Sequence, residues 1–208
     1  MLIASKKYLL GDSSTTYGAQ RAKNGRTRPW SVNYVEVGNE DNLSSGCSTY
    51  ASRFTQIYDA VHATYPDITI IASTTNSSCL PSPLPDDIWT DIHYYLTPDE
   101  FVEMFNEWDN WSREHPIFVG EYASTTGNDG STTYWSNMQG SCAEAVYMIG
   151  LERNSDIVKM ASFAPLLEHF DLAEWSVRVH HVKLIFLNRL LIILHSLIYL
   201  ALTPRPTP

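Results

Sequence analysis

Between residues 33 and 163 the chain alternates two hydrophobic rhythms. Short apolar runs rich in β-branched residues (Asn33–Val37, Ile68–Ser73, Thr90–Tyr95, Pro116–Glu121 and Val158–Phe163) are bounded by Pro, Asp, Asn or Gly and read as buried strands. Between most of them, apolar residues recur at helical spacing. Tyr50, Phe54, Ile57, Tyr58 and Val61 share one face after the first run, and Phe101, Met104, Phe105 and Trp108 form one stripe after the third. Thr97-Pro98-Asp99-Glu100 offers a cap hydroxyl, a proline at the first helical position and an acid at the third. Ser141-Cys142-Ala143-Glu144 has the same capping pattern ahead of Val146–Ile149, whereas Pro81, Pro83 and Pro85 exclude an ordinary helix between the second and third runs. Strands alternating with helices predict an α/β fold with parallel pairing and right-handed crossovers. Five such units fall short of the eight that a closed barrel needs in about 250 residues. The expected architecture is an incomplete (β/α)8 TIM barrel, about its last five strands.

Two runs end alike, in an apolar stretch, a glycine and a glutamate: Val35-Glu36-Val37-Gly38-Asn39-Glu40 and Ile117-Phe118-Val119-Gly120-Glu121. In a parallel barrel the C-terminal ends of the strands face the mouth where active sites are built. Glu40 and Glu121 are therefore expected to meet over one small volume, the arrangement that cleavage of a glycosidic bond requires. His93 and Tyr95 share parity on Asp91-Ile92-His93-Tyr94-Tyr95, so both can point the same way. A phenol beside a carboxylate can donate to it and lower its pKa, the condition for a nucleophile. Asn39 can offer donors and an acceptor to a sugar hydroxyl. Trp30, Trp89, Trp111 and Trp135 are candidates for stacking on sugar faces, while Trp108 lies on the helical stripe and reads as core. Asp41, Asp86, Asp87 and Asp91 read as scattered acids facing water. The chain has no Gly-X-Ser-X-Gly elbow, phosphate-cradling glycine loop or His-Glu-X-X-His.

Charge and cysteines narrow the classes. With 23 acids against 14 bases and a net charge of −9, the chain offers a phosphate backbone little to pair with, so nucleic-acid binding is not expected. Cys47, Cys79 and Cys142 allow at most one disulfide and fit no zinc spacing, so no metal or cofactor is expected. Asn42, Asn76 and Asn110 each begin an Asn-X-Ser triplet, which leans toward an exported glycoprotein. The opening Met-Leu-Ile-Ala runs at once into Ser5, Lys6 and Lys7, too short for a signal peptide's apolar region.

The stretches Trp30–Leu43, Asp91–Tyr95, Ile117–Ala123, Trp135–Ala145 and Ala161–Leu167 resemble fungal α-L-arabinofuranosidases of glycoside hydrolase family 51. The likeness covers about residues 8–176. It implies a (β/α)8 barrel with an added β-sandwich, Glu40 as general acid/base and Glu121 as nucleophile. Asn39 would contact the sugar's 2-hydroxyl, and His93 and Tyr95 would line the arabinosyl subsite. The implied substrate is a terminal arabinofuranosyl group of arabinan or arabinoxylan, with no metal required and the parent protein extracellular. The family's barrel begins upstream of residue 1, so about three strands are expected to be missing, as is the sandwich.

After Ser176 the text changes. Residues 177–208 hold four bases, no acid, and an apolar run from Leu184 to Leu202 broken by Asn188, Arg189, His195 and Ser196. A membrane span needs about 20 mostly apolar residues, and a central Arg costs roughly 3 kcal/mol, so a membrane role is not expected. The reading is a two-part chain, 1–176 as a partial glycosidase domain and 177–208 as an apolar tail from translated intron. A non-catalytic remnant, a membrane-associated fragment or another retaining glycosidase are the alternatives.

Overall fold

The computed structural model describes residues 7–43 and 45–164. In chain order the elements are α1 (Thr16–Lys23), β1 (Tyr34–Val37), α2 (Cys47–His62), β2 (Thr69–Ala72) and β3 (Trp89–Leu96). They continue with α3 (Pro98–Glu103), which passes into a 3-10 turn at Met104–Asn106, then β4 (Ile117–Ser124), α4 (Met138–Arg153) and β5 (Val158–Phe163). The five strands pair in parallel in the order β1-β2-β3-β4-β5, as consecutive units of a (β/α)8 barrel do, and each expected strand is present.

Alternation along the strands decides which residues meet the helices. Val37 of β1, with Ile70 and Ala72 of β2, packs on Tyr50, Phe54 and Val61 of α2. Ile117, Val119 and Tyr122 of β4 pack on Phe101, Trp108, Tyr147 and Leu151, with Ile92 and Tyr94 of β3 against the same cluster. Glu36 and the set Asp91, His93 and Tyr95 have the opposite parity, so they face the concave side of the sheet.

Local differences from the expected elements have identifiable causes. The capping box at Thr97 forms, with Glu100 N–H donating to the threonine hydroxyl and the glutamate accepting the Thr97 amide at 2.8 Å. The stripe beyond it is no single helix, because α3 ends at Glu103 and the 3-10 turn carries the chain on to the fully buried Trp108. Helix α4 starts earlier than the Ser141 pattern implied. Asn137 caps it by accepting from Gly140 N–H at 2.8 Å, and Glu144 reaches instead to the Ser124 amide at 2.7 Å. Helix α1 was not expected; its buried Arg21 donates to the carbonyls of Tyr8, Leu9, Gly11, Arg26 and Thr27. Cys47 and Cys79 form a disulfide that ties the start of α2 to the proline-rich crossover, and Cys142 is free. The expected apolar tail at 177–208 lies outside the described residues. Among those described, no helix is long and apolar enough to cross a membrane.

Candidate active site

The loop leaving β1 carries Glu40, and Asp41 builds it. Asp41 accepts from the Asn39 amide at 3.1 Å and the Ser73 hydroxyl at 2.9 Å, and it pairs with Arg53 at 2.5 Å. Burial opposes its ionisation, but the hydrogen bonds from Arg53 and Ser73 outweigh that and hold it below its ordinary pKa. Gly38 has φ +102°, and a Cβ there would lie 1.9 Å from an Asp41 oxygen, so only glycine lets the chain turn over this carboxylate. Glu40 itself takes φ +52°, a left-handed conformation that costs a non-glycine residue about 1 kcal/mol or more. Tyr50 clamps the ends of β1 and β2 from below. Its hydroxyl donates to the Val37 carbonyl at 2.5 Å and accepts from the Ser73 amide at 2.7 Å.

Glu121 is placed by a bulge. Ile92 pairs with Val119 but His93 pairs with Glu121, so Gly120 is the extra residue in β4. Glu121 thus lies inside the strand, which runs on to Ser124, rather than at its end. Asp91, fully buried, accepts from the Gly120 amide at 2.7 Å, and a Cβ on residue 120 would lie 2.4 Å from that same oxygen.

The side chains then converge. His93 Nδ1 is 3.0 Å from Glu40 Oε1 and 3.5 Å from Glu121 Oε2, while its Nε2 is 2.7 Å from Asp91 Oδ2. Tyr95 donates its hydroxyl to Glu121. One ligand atom each of Glu40, His93 and Glu121 lies within 4.8 Å of the others. That spacing would suit a cation, but the ring nitrogen is turned onto Glu40 and the tyrosine onto Glu121, a set arranged to move protons. The His93 side chain is only 11% exposed against 36% for Glu40, so the ring is sheltered and the carboxylate can be reached. Burial works against a charged ring, yet the hydrogen bonds to Asp91 and Glu40 outweigh it and raise His93 to about 9. Burial raises the Tyr95 phenol well above its ordinary value, with Glu121 adding to the effect, so it stays a donor. Burial, and next the charge of Asp91, raise Glu36 to about 7.

A cavity of about 410 Å³ opens here, lined by Glu40, Asn42, Asn76, His93 and Tyr95 among others. A second hollow of about 470 Å³ lies beside the starts of β3 and β4, lined by Leu80, Trp111, Glu114 and His115, and brings no two carboxylates together.

The structure brings together four of the five expected side chains or their neighbours: Glu40, Glu121, His93 and Tyr95, with Asn39 one residue before Glu40. Two acids expected to face water do not. Both are buried, Asp41 in the loop after β1 with the Asn39 amide and Arg53 as donors, and Asp91 within β3 with the Gly120 amide of the β4 bulge as donor. Glu36 was missed altogether. Its signal was an acid at inward parity within Val35-Glu36-Val37, a place where an unpaired charge is costly.

Known proteins resemble this chain over most of its length. The family model for the alpha-L-arabinofuranosidase 1 domain matches residues 3–113, and that for the alpha-L-arabinofuranosidase C-terminal domain matches residues 106–186. A probable alpha-L-arabinofuranosidase A of Emericella nidulans is 52% identical over 185 residues, 88% of this chain and 33% of the relative. The alpha-L-arabinofuranosidase A of Aspergillus niger is 53% identical over 170 residues, 82% of this chain and 26% of its own length. The chain thus spans a third or less of these relatives. Among solved structures, an arabinose-bound GH51 α-L-arabinofuranosidase matches with TM-score 0.77 and 34% identity, over 86% of this chain and 30% of that one. The Thermotoga maritima enzyme, also an arabinose complex, shares the fold at TM-score 0.63 and 18% identity, over 80% of this chain and 40% of its own. Family models, relatives and fold agree that the chain belongs to the α-L-arabinofuranosidases of glycoside hydrolase family 51.

Proposed function

We propose that this chain carries the catalytic carboxylates of a retaining α-L-arabinofuranosidase that removes terminal non-reducing arabinofuranosyl groups from arabinan or arabinoxylan. The observation that carries the reading is the approach of Glu40 and Glu121 within 4.8 Å through His93, with Tyr95 donating to Glu121. Retaining enzymes hold their carboxyl groups about 5 Å apart, whereas inverting ones need room for a water between them.

In this reading Glu121, which accepts the hydroxyl of Tyr95, attacks the anomeric carbon as the glycosidic bond breaks. Glu40 delivers the proton that the departing oxygen takes up. An arabinosyl ester forms on Glu121, a water enters, and Glu40 removes that water's proton as the ester is cleaved, restoring both carboxyls. Asn39, His93 and Tyr95 line the subsite. The protein acts outside the cell on polysaccharide or oligosaccharide.

A second reading, a non-catalytic domain, is favoured by one feature. The described sheet is open, with β1 and β5 each unpaired on one side and Glu36, Asp91 and His93 on its concave face. One assay separates the two. The purified 208-residue chain is incubated with an aryl α-L-arabinofuranoside, beside Glu40→Ala and Glu121→Ala. Turnover lost in both variants, and a first-formed product that keeps the α configuration by NMR, support the glycosidase. Equal rates in all three proteins, or inversion, reject it.

A further inference from the structure

The acid and base residues do not hold themselves in place, and the group between them does not either. Asp91 is wholly buried on β3, yet its two oxygens reach opposite sides of the site. Oδ1 accepts from the Gly120 amide at 2.7 Å, at the bulge that aims Glu121. Oδ2 lies 2.7 Å from Nε2 of His93, whose other nitrogen faces Glu40 at 3.0 Å. No side chain fits between Asp91 and the bulge, since a Cβ on residue 120 would lie 2.8 Å from both Cγ and Oδ2 as well. A single carboxylate therefore sets the geometry of both carboxyl groups of the proposed reaction.

Glu36 completes the arrangement. It comes from β1, and in a parallel barrel each interior layer is filled from alternate strands, so β1 and β3 supply the same layer. Glu36 lies near enough to Asp91 for the charge of that carboxyl to act on it, second only to burial. Two carboxyls that close cannot both be ionised. Oε1 of Glu36 and Oδ2 of Asp91 are both buried without a regular hydrogen bond among the described residues, but Asp91 also accepts the Gly120 amide and lies 2.7 Å from the His93 ring, so Asp91 is the natural anion and Glu36 the natural acid. The other ionisable groups around the pair are Glu121 from β4, Tyr50 from α2, and Glu40 and Asp41 from the loop after β1.

We propose that Asp91 is the positioning residue of this site, and that Glu36 is the buried acid that keeps it in place. Asp91 holds a proton on Nε2 of His93, which leaves Nδ1 as the atom that exchanges a proton with Glu40, and it fixes the bulge that presents Glu121. Nothing in the resemblance to arabinofuranosidases required either acid, and the proposal rests on reading Glu40 as acid/base and Glu121 as nucleophile.

The test uses the full chain, with ring-nitrogen NMR of His93 as a readout that needs no turnover. In the unsubstituted protein at neutral pH, Nε2 should carry a proton; a neutral ring protonated on Nδ1 alone would overturn the proposal without any variant. Asp91→Asn should lower the pH at which the ring titrates by about one to three units. It should also reduce kcat on the aryl arabinofuranoside by about 100-fold, with KM within about threefold and the basic limb of the pH–rate profile moved down. Glu36→Gln keeps an N–H donor toward Asp91, so the His93 titration should stay within about half a unit if Glu36 acts as the neutral acid. A shift of a unit or more would show that it acts as a charge and overturn that part. Asp91→Asn with an unchanged titration and kcat would overturn the role of Asp91, even in an enzyme that Glu121→Ala inactivates. An unsubstituted chain with the expected His93 protonation but no hydrolysis would sink the functional reading and leave the positioning role standing.

Discussion

Tyr50→Phe isolates one oxygen atom whose work can be reckoned from the structure. The residue is fully buried in α2, and its hydroxyl makes two short hydrogen bonds, to the Val37 carbonyl at 2.5 Å and from the Ser73 amide at 2.7 Å. Phenylalanine keeps the ring, including its tilted contact with Phe54 at 5.8 Å, so no sizeable cavity opens. What remains is a carbonyl and an amide without partners in a dry interior, each costing about 1–3 kcal/mol. The expected loss is therefore about 2–6 kcal/mol, a large share of the stability of any domain. Urea denaturation of the two proteins measures it, with the slope unchanged if only the native state is affected. Function should suffer too, because Val37 leads into the loop that carries Glu40 and Ser73 holds Asp41 within that loop, and a shift of about 1 Å can reduce rate 100-fold. A loss below about 0.5 kcal/mol would refute the reasoning, since it would mean that the two strand ends are held without this clamp.

Other outcomes follow from the same coordinates. Gly120→Ala places a methyl 2.4 Å from a buried carboxylate oxygen and should cost about 1–3 kcal/mol by overpacking, read by thermal melts against the unsubstituted chain. Removing the Cys47–Cys79 bridge, which closes 32 residues, should cost about 3.5 kcal/mol, read by denaturation of Cys47→Ala/Cys79→Ala against Cys142→Ser. Burial raises Glu144 from 4.5 to about 7. Its folded-state value thus exceeds the unfolded one, so the stability it contributes is full below pH 4.5 and lost as pH rises through about 7, a slope that Glu144→Gln should flatten. Of the three Asn-X-Ser sites, all exposed, Asn42 and Asn76 line the cavity beside Glu40 whereas Asn110 does not, so glycan mapping of the chain expressed through a secretory pathway should find Asn110 occupied.

The strands were legible because each is a run too short for a helix, rich in β-branched residues and bounded by breakers. The Thr97 cap was legible for a similar reason, since all its parts are local. Where an element depends on something distant, the local pattern misled. Ser141 and Glu144 look like a capping box, but Glu144 is drawn to the Ser124 amide, and the helix begins at Asn137 instead. The stripe through Trp108 has helical spacing, yet a 3-10 turn delivers the same side chains to the same core. Glu40 and Glu121 were visible through their matched glycine-containing contexts and through parity with His93 and Tyr95. Asp91 and Glu36 were not, because a buried acid is recognisable only once the donors and the second carboxyl around it are in view.

His93 also changes how the acid/base residue should be understood. Two carboxyl groups about 5 Å apart repel one another when both are ionised, which would by itself favour a proton on one of them. The structure sets an imidazole between them, 3.0 Å from one and 3.5 Å from the other. Such a pair titrates as a unit, and its proton belongs to neither group alone. With Asp91 holding Nε2–H, the proton on Nδ1 of the charged ring can pass to Glu40 Oε1 as the leaving oxygen needs it, and the ring becomes a neutral imidazole protonated on Nε2. Burial disfavours the charged ring, but Asp91 and Glu40 raise its pKa to about 9, so the unit should keep its proton across neutral pH. The basic limb of kcat/KM should therefore lie well above the ordinary range of a carboxylic acid. His93→Gln can hydrogen-bond to Glu40 but cannot carry the proton, so that limb should fall by about one to three units while activity at acidic pH is better preserved. A basic limb that is the same with and without His93 would mean that Glu40 holds its proton unaided and that the imidazole only fills space.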